Sequence, residues 1–442
     1  MKNGENKQFP VLKEGYTLQR STTKGRVYSL LESVRYFYEV NESAARILEK
    51  CDGKTELKEI TNKICSHYNE EYKPTLKIIK SYLNENIDIL VDIFPQPIER
   101  NIHITGNWGI NAPTQAAIEL TYNCNFFCKH CYIEGGSGRE EYADSKKLIP
   151  VLDELADYGI CVVELTGGEP TLHPDFLTIV KHCAEIFPLV SIITNGYVLN
   201  EDHIEKLSKY KSQLGFQISL TGDNSEYMDW FCDKKGAFEH AKNAIELLSR
   251  NGFMVRASML ITPKNLDQVF NTAKLAKQLG AISFIISPIV PLGRGQLYSE
   301  LALHHVFTHK NVPLLTDLER KLQKSFGDFI VKTPEYQELT DVKDLSCGVG
   351  DTVIGITPTG DIKLCPMANP NDFPIGNVYD HDLYKILSKY PILQVKDPGP
   401  ELCGDCEYLG FCGNCIVRGL KKYHEIGDKC SWGKVIDITP IL

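Results

Sequence analysis

The chain has 442 residues, 43% hydrophobic and 24% charged, a globular composition too long for one ordinary core, so two or three domains are expected. A net charge of −9 argues against a dedicated nucleic-acid binder, which carries a basic excess. No apolar run approaches the roughly 18 residues of a membrane span, so none is expected.

The start, Met1 to Gln8, lacks the apolar core of a signal peptide, and the chain is expected in the cytosol, where thiols stay reduced. Its 15 cysteines then point to metal chemistry rather than a disulfide frame. Three fall at 124–131 and seven between Cys347 and Cys430. Cys51, Cys65, Cys161, Cys183 and Cys232 are scattered and read as small buried hydrophobes.

Residues 1–100 form a first unit. Tyr16–Gln19, Arg26–Leu30 and Val34–Val40 have the composition of short strands. Asn41 is placed to cap a helix over Glu42–Cys51, which stops at Asp52-Gly53. Leu57, Ile60, Ile64 and Tyr68, and then Leu76, Ile79 and Leu83, show helical spacing. Three strands followed by three helices resemble a winged helix, and more closely the leader-peptide recognition element of peptide-modifying enzymes. In residues 1–100, 16 Lys/Arg against 15 Asp/Glu leave +1, too little for a phosphate-binding face. The third strand lies at the sheet edge, where an extended peptide can add a strand.

Pro95-Gln-Pro97 and Thr105–Pro113 read as linker. From 112 to 303 strands and helices alternate. The strands are Gln115–Leu120, Val162–Thr166, Val190–Thr194, Gly215–Leu220, Val255–Ile261 and Ser283–Ser287. Helical stretches lie near Lys146–Tyr158, Phe176–Phe187, Asp202–Lys211, Ala237–Asn251 and Leu266–Leu279. Six βα units imply an α/β unit with a parallel sheet, whose chemistry sits at the carboxyl ends of the strands. Residues 304–345 read as a helical bridge, and 346–442 hold the second cysteine group.

Cys124, Cys128 and Cys131 stand in C-x3-C-x2-C spacing directly after the first barrel strand. Three thiolates serve a four-iron cube and leave one iron without a protein ligand. Tyr132 follows them, and Thr-Gly-Gly-Glu-Pro (Thr166–Pro170) closes the next strand. Together these motifs resemble the radical S-adenosylmethionine (SAM) enzymes, whose fold is a partial (β/α)6 barrel. The resemblance implies that Gly167, Gly168 and Glu169 hold the SAM amino group and that Thr194, Asn195 and Ser219 contact SAM from strand ends. It also implies Arg256 as the partner of the SAM carboxylate and His130 in the aromatic slot of the cysteine loop. Thr221 stands where relatives often carry Asp, so Ser219 takes the greater weight. The chemistry implied is reductive cleavage of SAM to a deoxyadenosyl radical that abstracts hydrogen from an unactivated C–H bond.

Cys347, Gly360-x4-Cys365, Cys403-x2-Cys406-x5-Cys412-x2-Cys415 and Cys430 resemble the SPASM domain of peptide-acting radical SAM enzymes. On that pattern Cys403, Cys406, Cys412 and Cys430 hold one auxiliary 4Fe-4S cluster. Cys347, Cys365 and Cys415 hold another with one iron open to a substrate thiolate. Structural zinc is the rival use of paired CxxC motifs. An eighth ligand, such as Cys232 or a carboxylate, is a further alternative.

The combination resembles the sactipeptide synthases, of the subtilosin type, on Glu119-Leu-Thr…Cys-Asn-Phe-Phe-Cys-Lys-His-Cys-Tyr132, Glu164-Leu-Thr-Gly-Gly-Glu169 and Cys412-Gly-Asn-Cys-Ile-Val-Arg-Gly-Leu…Cys-Ser-Trp432. It implies three 4Fe-4S clusters, SAM, a ribosomal precursor peptide with a leader, and a flavodoxin- or ferredoxin-type electron donor. The product is a bond from a cysteine sulfur to an α-carbon. Rival enzymatic readings are side-chain thioether or carbon–carbon crosslinking, epimerisation and formylglycine formation. A rival from another class is a metal-sensing DNA-binding regulator.

Overall fold

The computed structural model describes residues 7–29, 36–87, 89–301, 312–331, 348–380, 382–389, 403, 406–408, 412 and 415–434. Cys347, most of the bridge 304–345, and Leu30, Val34 and Arg35 of the expected N-terminal strands lie outside these residues. The chain divides into two compact units: Met1–Ala112 with Asp157–Gly159, and the remainder.

In the first unit, β2 (Tyr16–Arg20), β3 (Lys24–Ser29) and β4 (Tyr36–Asn41) form an antiparallel meander. The expected third strand does lie at the edge: the order is β4-β3-β2-β6. The far strand, β6 (His103–Gly106), pairs parallel to β2 and corrects the reading of Thr105–Pro113 as linker from its first residue. Its polar, glycine-ended sequence has no strand pattern of its own, and the pairing with Thr17–Arg20 supplies the order. β1 (Phe9–Leu12) and β5 (Val91–Phe94) pair with each other and were equally invisible, being four residues long with partners about eighty positions apart.

Three helices follow β4. The Asn41 side chain accepts the Ala44 amide at 2.9 Å and starts α1 (Glu42–Glu49), which ends two residues before the expected Cys51. α2 (Leu57–Tyr68) and α3 (Tyr72–Glu85) bury Leu57, Ile60, Ile79 and Leu83 against Leu18, Val27 and Leu48. That core is apolar and continuous, so the unit has its own driving force for folding.

The second unit is built on a parallel sheet. β7 (Gln115–Thr121), β8 (Val162–Gly167), β9 (Leu189–Thr194), β10 (Leu214–Ser219), β11 (Met254–Ile261) and β12 (Ser283–Pro288) lie in that order, each parallel to its neighbour. Between them run α4 (Ser145–Asp157), α5 (Phe176–Ile186), α6 (Glu201–Leu207), α8 (Ala237–Arg250) and α9 (Val269–Gln278). Alternate residues of β10 and β11 are buried behind the strands, including Phe216, Val255 and Ala257. The intervening positions face the barrel interior.

Three further elements were not expected. α7 (Ser225–Cys232) is a short helix after β10, capped by the Asn224 side chain on the Tyr227 amide. β13 (Val353–Ile356), from the cysteine-rich C-terminal segment, pairs parallel to β7 and carries β14 (Ile362–Lys363) antiparallel beside it. The barrel sheet therefore continues into the C-terminal segment.

Candidate active site

A cavity of about 480 Å³ opens at the carboxyl ends of the barrel strands. Cys124, Cys128 and Cys131 line it together with Gly167, Gly168, Thr194, Asn195 and Ser219. The topology delivers them there because each follows or ends a parallel strand.

The cysteine loop is built by local bonds. The Thr121 hydroxyl donates to the Glu141 carbonyl at 2.8 Å and accepts the Asn123 amide at 2.9 Å, fixing the exit from β7. Cys124 Sγ accepts the Phe126 amide at 3.4 Å, and Cys131 Sγ accepts the Gly135 amide at 3.3 Å. Burial pushes the Cys124 thiol up to about 12, and it raises Cys131 as well. Cys128 is raised by a thiol hydrogen bond with Cys232 and by burial. Burial raises Cys51 and Cys183 in the same way, so the shift marks burial, and a bound cation would deprotonate the loop thiols outright.

Glycine makes the opposite wall possible. Gly167 has φ +123°, and a Cβ there would strike the Thr121 carbonyl. A Cβ on Gly168 would strike the Asn123 carbonyl, while its amide donates to Thr121 O at 2.6 Å. The strand end after β8 thus lies directly on the cysteine loop, at a distance that only glycine permits.

Glu169 is held by donors at the strand ends. Its Oε1 accepts the Thr171 amide (3.1 Å), Thr171 Oγ1 (2.5 Å) and Thr194 Oγ1 (2.6 Å), and its Oε2 accepts the Asn195 amide at 2.8 Å. Oε1 is fully engaged, while Oε2, with one donor, keeps an open acceptor site. The buried side chain ties the ends of β8 and β9 together and is absent from the cavity lining. Burial nonetheless raises its pKa.

Arg256 also lies away from the lining. It precedes cavity-lining Ser258 by two residues on β11, deeper in the barrel, where Glu164 is its electrostatic neighbour. His130 and Tyr132 do line the cavity. The His130 ring stacks on Phe231 at 4.7 Å, and burial with the nearby Arg294 charge holds its pKa down at about 4, so it is neutral.

Several residues were missed by the sequence reading. Arg294, 6% exposed, donates Nε to Cys128 O at 2.8 Å and an Nη to Gly135 O at 2.7 Å, and its amide donates to Cys131 O at 3.0 Å. Gly293, at φ +51°, and Gly295 pack on the backbones of Tyr132 and His130. The Gly-Arg-Gly triplet after β12 was the available signal. α7 supports the loop from the other side: the Phe127 and Lys129 amides donate to Cys232 O and Phe231 O, each at 3.1 Å. Cys232 lines the cavity, unlike Cys51, Cys161 and Cys183, which are fully buried, and Cys65, which is half-buried.

The C-terminal segment reaches the same cavity through Met367, Cys415 and Arg418. Burial is the main cause that pushes the Cys412 thiol up to about 12, with Cys430, Cys406 and Cys403 near enough to raise it further. Cys365 is buried and electrostatically close to Tyr132. Among the described residues, no three His, Cys, Asp or Glu side chains converge on a single-ion site. The residues fit a larger, iron–sulfur group on other grounds. Three thiols share one cavity, a glycine cradle faces them, and two buried polar atoms of lining residues, His130 Nδ1 and Thr221 Oγ1, have no hydrogen-bond partner.

Comparison with known proteins agrees with this geometry. Residues 118–276 match the radical SAM superfamily, 28–84 match coenzyme PQQ synthesis protein D, and 347–407 match an iron–sulfur cluster-binding domain (SPASM). The chain is 28% identical over 409 residues to the antilisterial bacteriocin subtilosin biosynthesis protein AlbA of Bacillus subtilis, covering 90% of this chain and 89% of that protein. It is 30% identical over 331 residues to the mycofactocin maturase MftC of Mycobacterium ulcerans, covering 73% and 87%. Among solved structures, Streptococcus suis SuiB bound to its precursor peptide SuiA superposes with a TM-score of 0.62 at 16% identity, over 93% of this chain and 97% of that one. The last likeness concerns the fold.

Proposed function

The chain belongs to the radical SAM superfamily, with PqqD-like and SPASM domains, and from this we propose that it crosslinks a ribosomal precursor peptide by joining cysteine sulfurs to α-carbons. Each crosslink forms one carbon–sulfur bond and removes two hydrogens, one from the thiol and one from the α-carbon. The rival reading as a DNA-binding regulator gives way to the family.

The observation that carries the reading is the shared cavity. Cys415, from the SPASM segment, lines the same space as Cys124, Cys128 and Cys131. In this proposal Cys124, Cys128 and Cys131 hold the SAM-binding 4Fe-4S cluster, and Cys403, Cys406, Cys412 and Cys430 hold a complete auxiliary one. Cys365 and Cys415, with Cys347 from outside the described residues, hold a third that has an open iron. When bound, these groups with SAM supply a carbon-centred radical and a thiophilic metal. The chain's own residues position and exclude. Gly167 and Gly168 let the β8 end approach SAM, and Thr194, Asn195 and Ser219 offer polar contacts to it. Glu169 holds Thr194 and Asn195 in place. Arg294 fixes the carbonyls of the cysteine loop and brings positive charge to a group that is negative when loaded.

The PqqD-like match supports leader binding on the N-terminal unit, at the edge of β4. The AlbA match over 90% of this chain supports the thioether reading. The 30% identity to the maturase MftC keeps another peptide-maturing reaction as the second reading. No helix among the described residues is long and apolar enough to cross a membrane. Reduced thiols and oxygen-sensitive clusters argue for a cytosolic setting.

The test is incubation of the anaerobically reconstituted protein with SAM, reductant and candidate cysteine-rich precursor peptides, read by tandem mass spectrometry. The expected product has lost two hydrogens per crosslink, with fragments that place the sulfur on an α-carbon. Unchanged mass, or linkage to a side-chain carbon, would favour epimerisation or the rival crosslinks.

A further inference from the structure

Phe127, between Cys124 and Cys128, is 51% exposed, and Trp230, on α7, is 38% exposed. Both flank the hydrogen-bonded junction of the cysteine loop with α7, and large aromatics exposed at one such place are seldom without a use. These two are ringed by cations. Lys129 Nζ and Lys264 Nζ lie 5.1 Å and 4.7 Å from the Trp230 ring centroid, and the Arg294 guanidinium lies 3.5 Å from that of Phe127. Lys129 Nζ is also 5.4 Å from the Tyr298 ring. This is a basic, aromatic patch on a chain whose net charge is −9.

The acidic groups of α7 do not cancel it. Asp229 turns into the fold and accepts the Gly236 and Phe238 amides at 2.7 and 3.1 Å. Glu226 and Asp233 stand at exposed positions on either side of Trp230 in sequence, and Lys234 and Lys235 follow directly. The patch is also rigidly joined to the cysteine loop. The Phe127 and Lys129 amides, on either side of Cys128, both bond to the last turn of α7.

We propose that this patch is the docking surface for an acidic electron-carrier protein, a flavodoxin, that reduces the cluster held by Cys124, Cys128 and Cys131. The proposal rests on the radical SAM reading and adds the partner's place. A flavodoxin presents the flat apolar edge of its flavin within a rim of carboxylates. Phe127 and Trp230 match the edge, and Lys129 and Lys264 match the rim, while buried Arg294 backs the Phe127 ring. Charge complementarity of this kind gives fast, transient, salt-sensitive association over a small interface. One electron leaves the carrier's reduced flavin and one enters the cluster, with no bond made or broken. Lys129 is covalently next to Cys128, so a carrier seated on Lys129 is one residue from a sulfur ligand. The leader peptide needs a strand edge instead, which β4 provides.

The experiment compares the reconstituted wild-type protein with Lys264→Glu and Trp230→Leu, the latter keeping apolar bulk. Affinity for purified flavodoxin is measured by calorimetry at two salt concentrations. SAM cleavage is driven in parallel by flavodoxin with its reductase and by dithionite. Lys264→Glu is expected to weaken flavodoxin binding about ten-fold and to lower the ratio of flavodoxin-driven to dithionite-driven cleavage by a similar factor. Wild-type binding should weaken as salt rises. Wild-type affinity in both variants would overturn the proposal, as would Lys264-dependent binding of a ferredoxin in place of flavodoxin. Loss of dithionite-driven cleavage in the wild type would instead count against the enzymatic reading, and the binding data would still decide the docking surface.

Discussion

Lys363 Nζ lies 2.7 Å from Glu119 Oε1, in an ion pair whose side chains are 4% and 1% exposed. Glu119, on β7, also accepts the Tyr122 hydroxyl at 2.9 Å, and Lys363, on β14, also donates to the Pro366 carbonyl. One residue thus leads into the cysteine loop after β7 and the other into Cys365. Lys363→Met would strand a buried carboxylate at a cost of about 3–5 kcal/mol. The Glu119→Gln, Lys363→Met double variant should recover most of that. Thermal melting of the anaerobic protein checks this, and a double variant no more stable than the single would refute the pairing argument.

Replacing Cys124, Cys128 and Cys131 together by Ala should abolish SAM cleavage while the SPASM cysteines keep their iron. Iron and sulfide content is expected to fall by roughly a third, from three four-iron clusters to two. Complete loss of iron, or none, would contradict the division of ligands proposed above.

Gly168→Ala tests the close approach of β8 to the cysteine loop. The added methyl meets the Asn123 carbonyl, which is backbone and has no flexible end to give way. SAM affinity, followed by equilibrium dialysis, is expected to fall at least about ten-fold, which is about 1.4 kcal/mol. The N-terminal unit has its own core and should keep its leader affinity.

Arg294→Lys keeps the charge but cannot span the Cys128 and Gly135 carbonyls with a rigid fork. The loop should open more readily, and the cluster absorbance should decay several-fold faster in the presence of a chelator. An unchanged decay rate would show that the two bonds contribute nothing to retention.

Leader binding at β4 predicts slowed amide exchange over Tyr36–Asn41 when a leader peptide is added, since edge amides gain partners. A core peptide without its leader should leave that exchange unchanged and should react with a raised KM. Protection confined to the opposite edge, β6, would relocate the site.

What could be read from the chain alone was whatever is local. Three thiols at C-x3-C-x2-C, the paired glycines at 167 and 168, and the alternation of strand and helix from Gln115 to Ser287 are set by neighbours within a few residues, so spacing and residue type were enough. Contacts between distant segments were not legible. β6 takes its order from β2, and β13 joins β7 from more than two hundred residues away. The partner of Glu119 is 244 residues distant, and Arg294 reaches Cys128 across 166. Only the folded sheet decided that Glu169 would bond Thr194 and Asn195 at the end of β9, and that Arg256 would have Glu164 as its electrostatic neighbour deeper in the barrel. A side chain's pattern in sequence names its strand and face, but its depth in a barrel and its partners depend on the register of strands that sequence spacing does not encode.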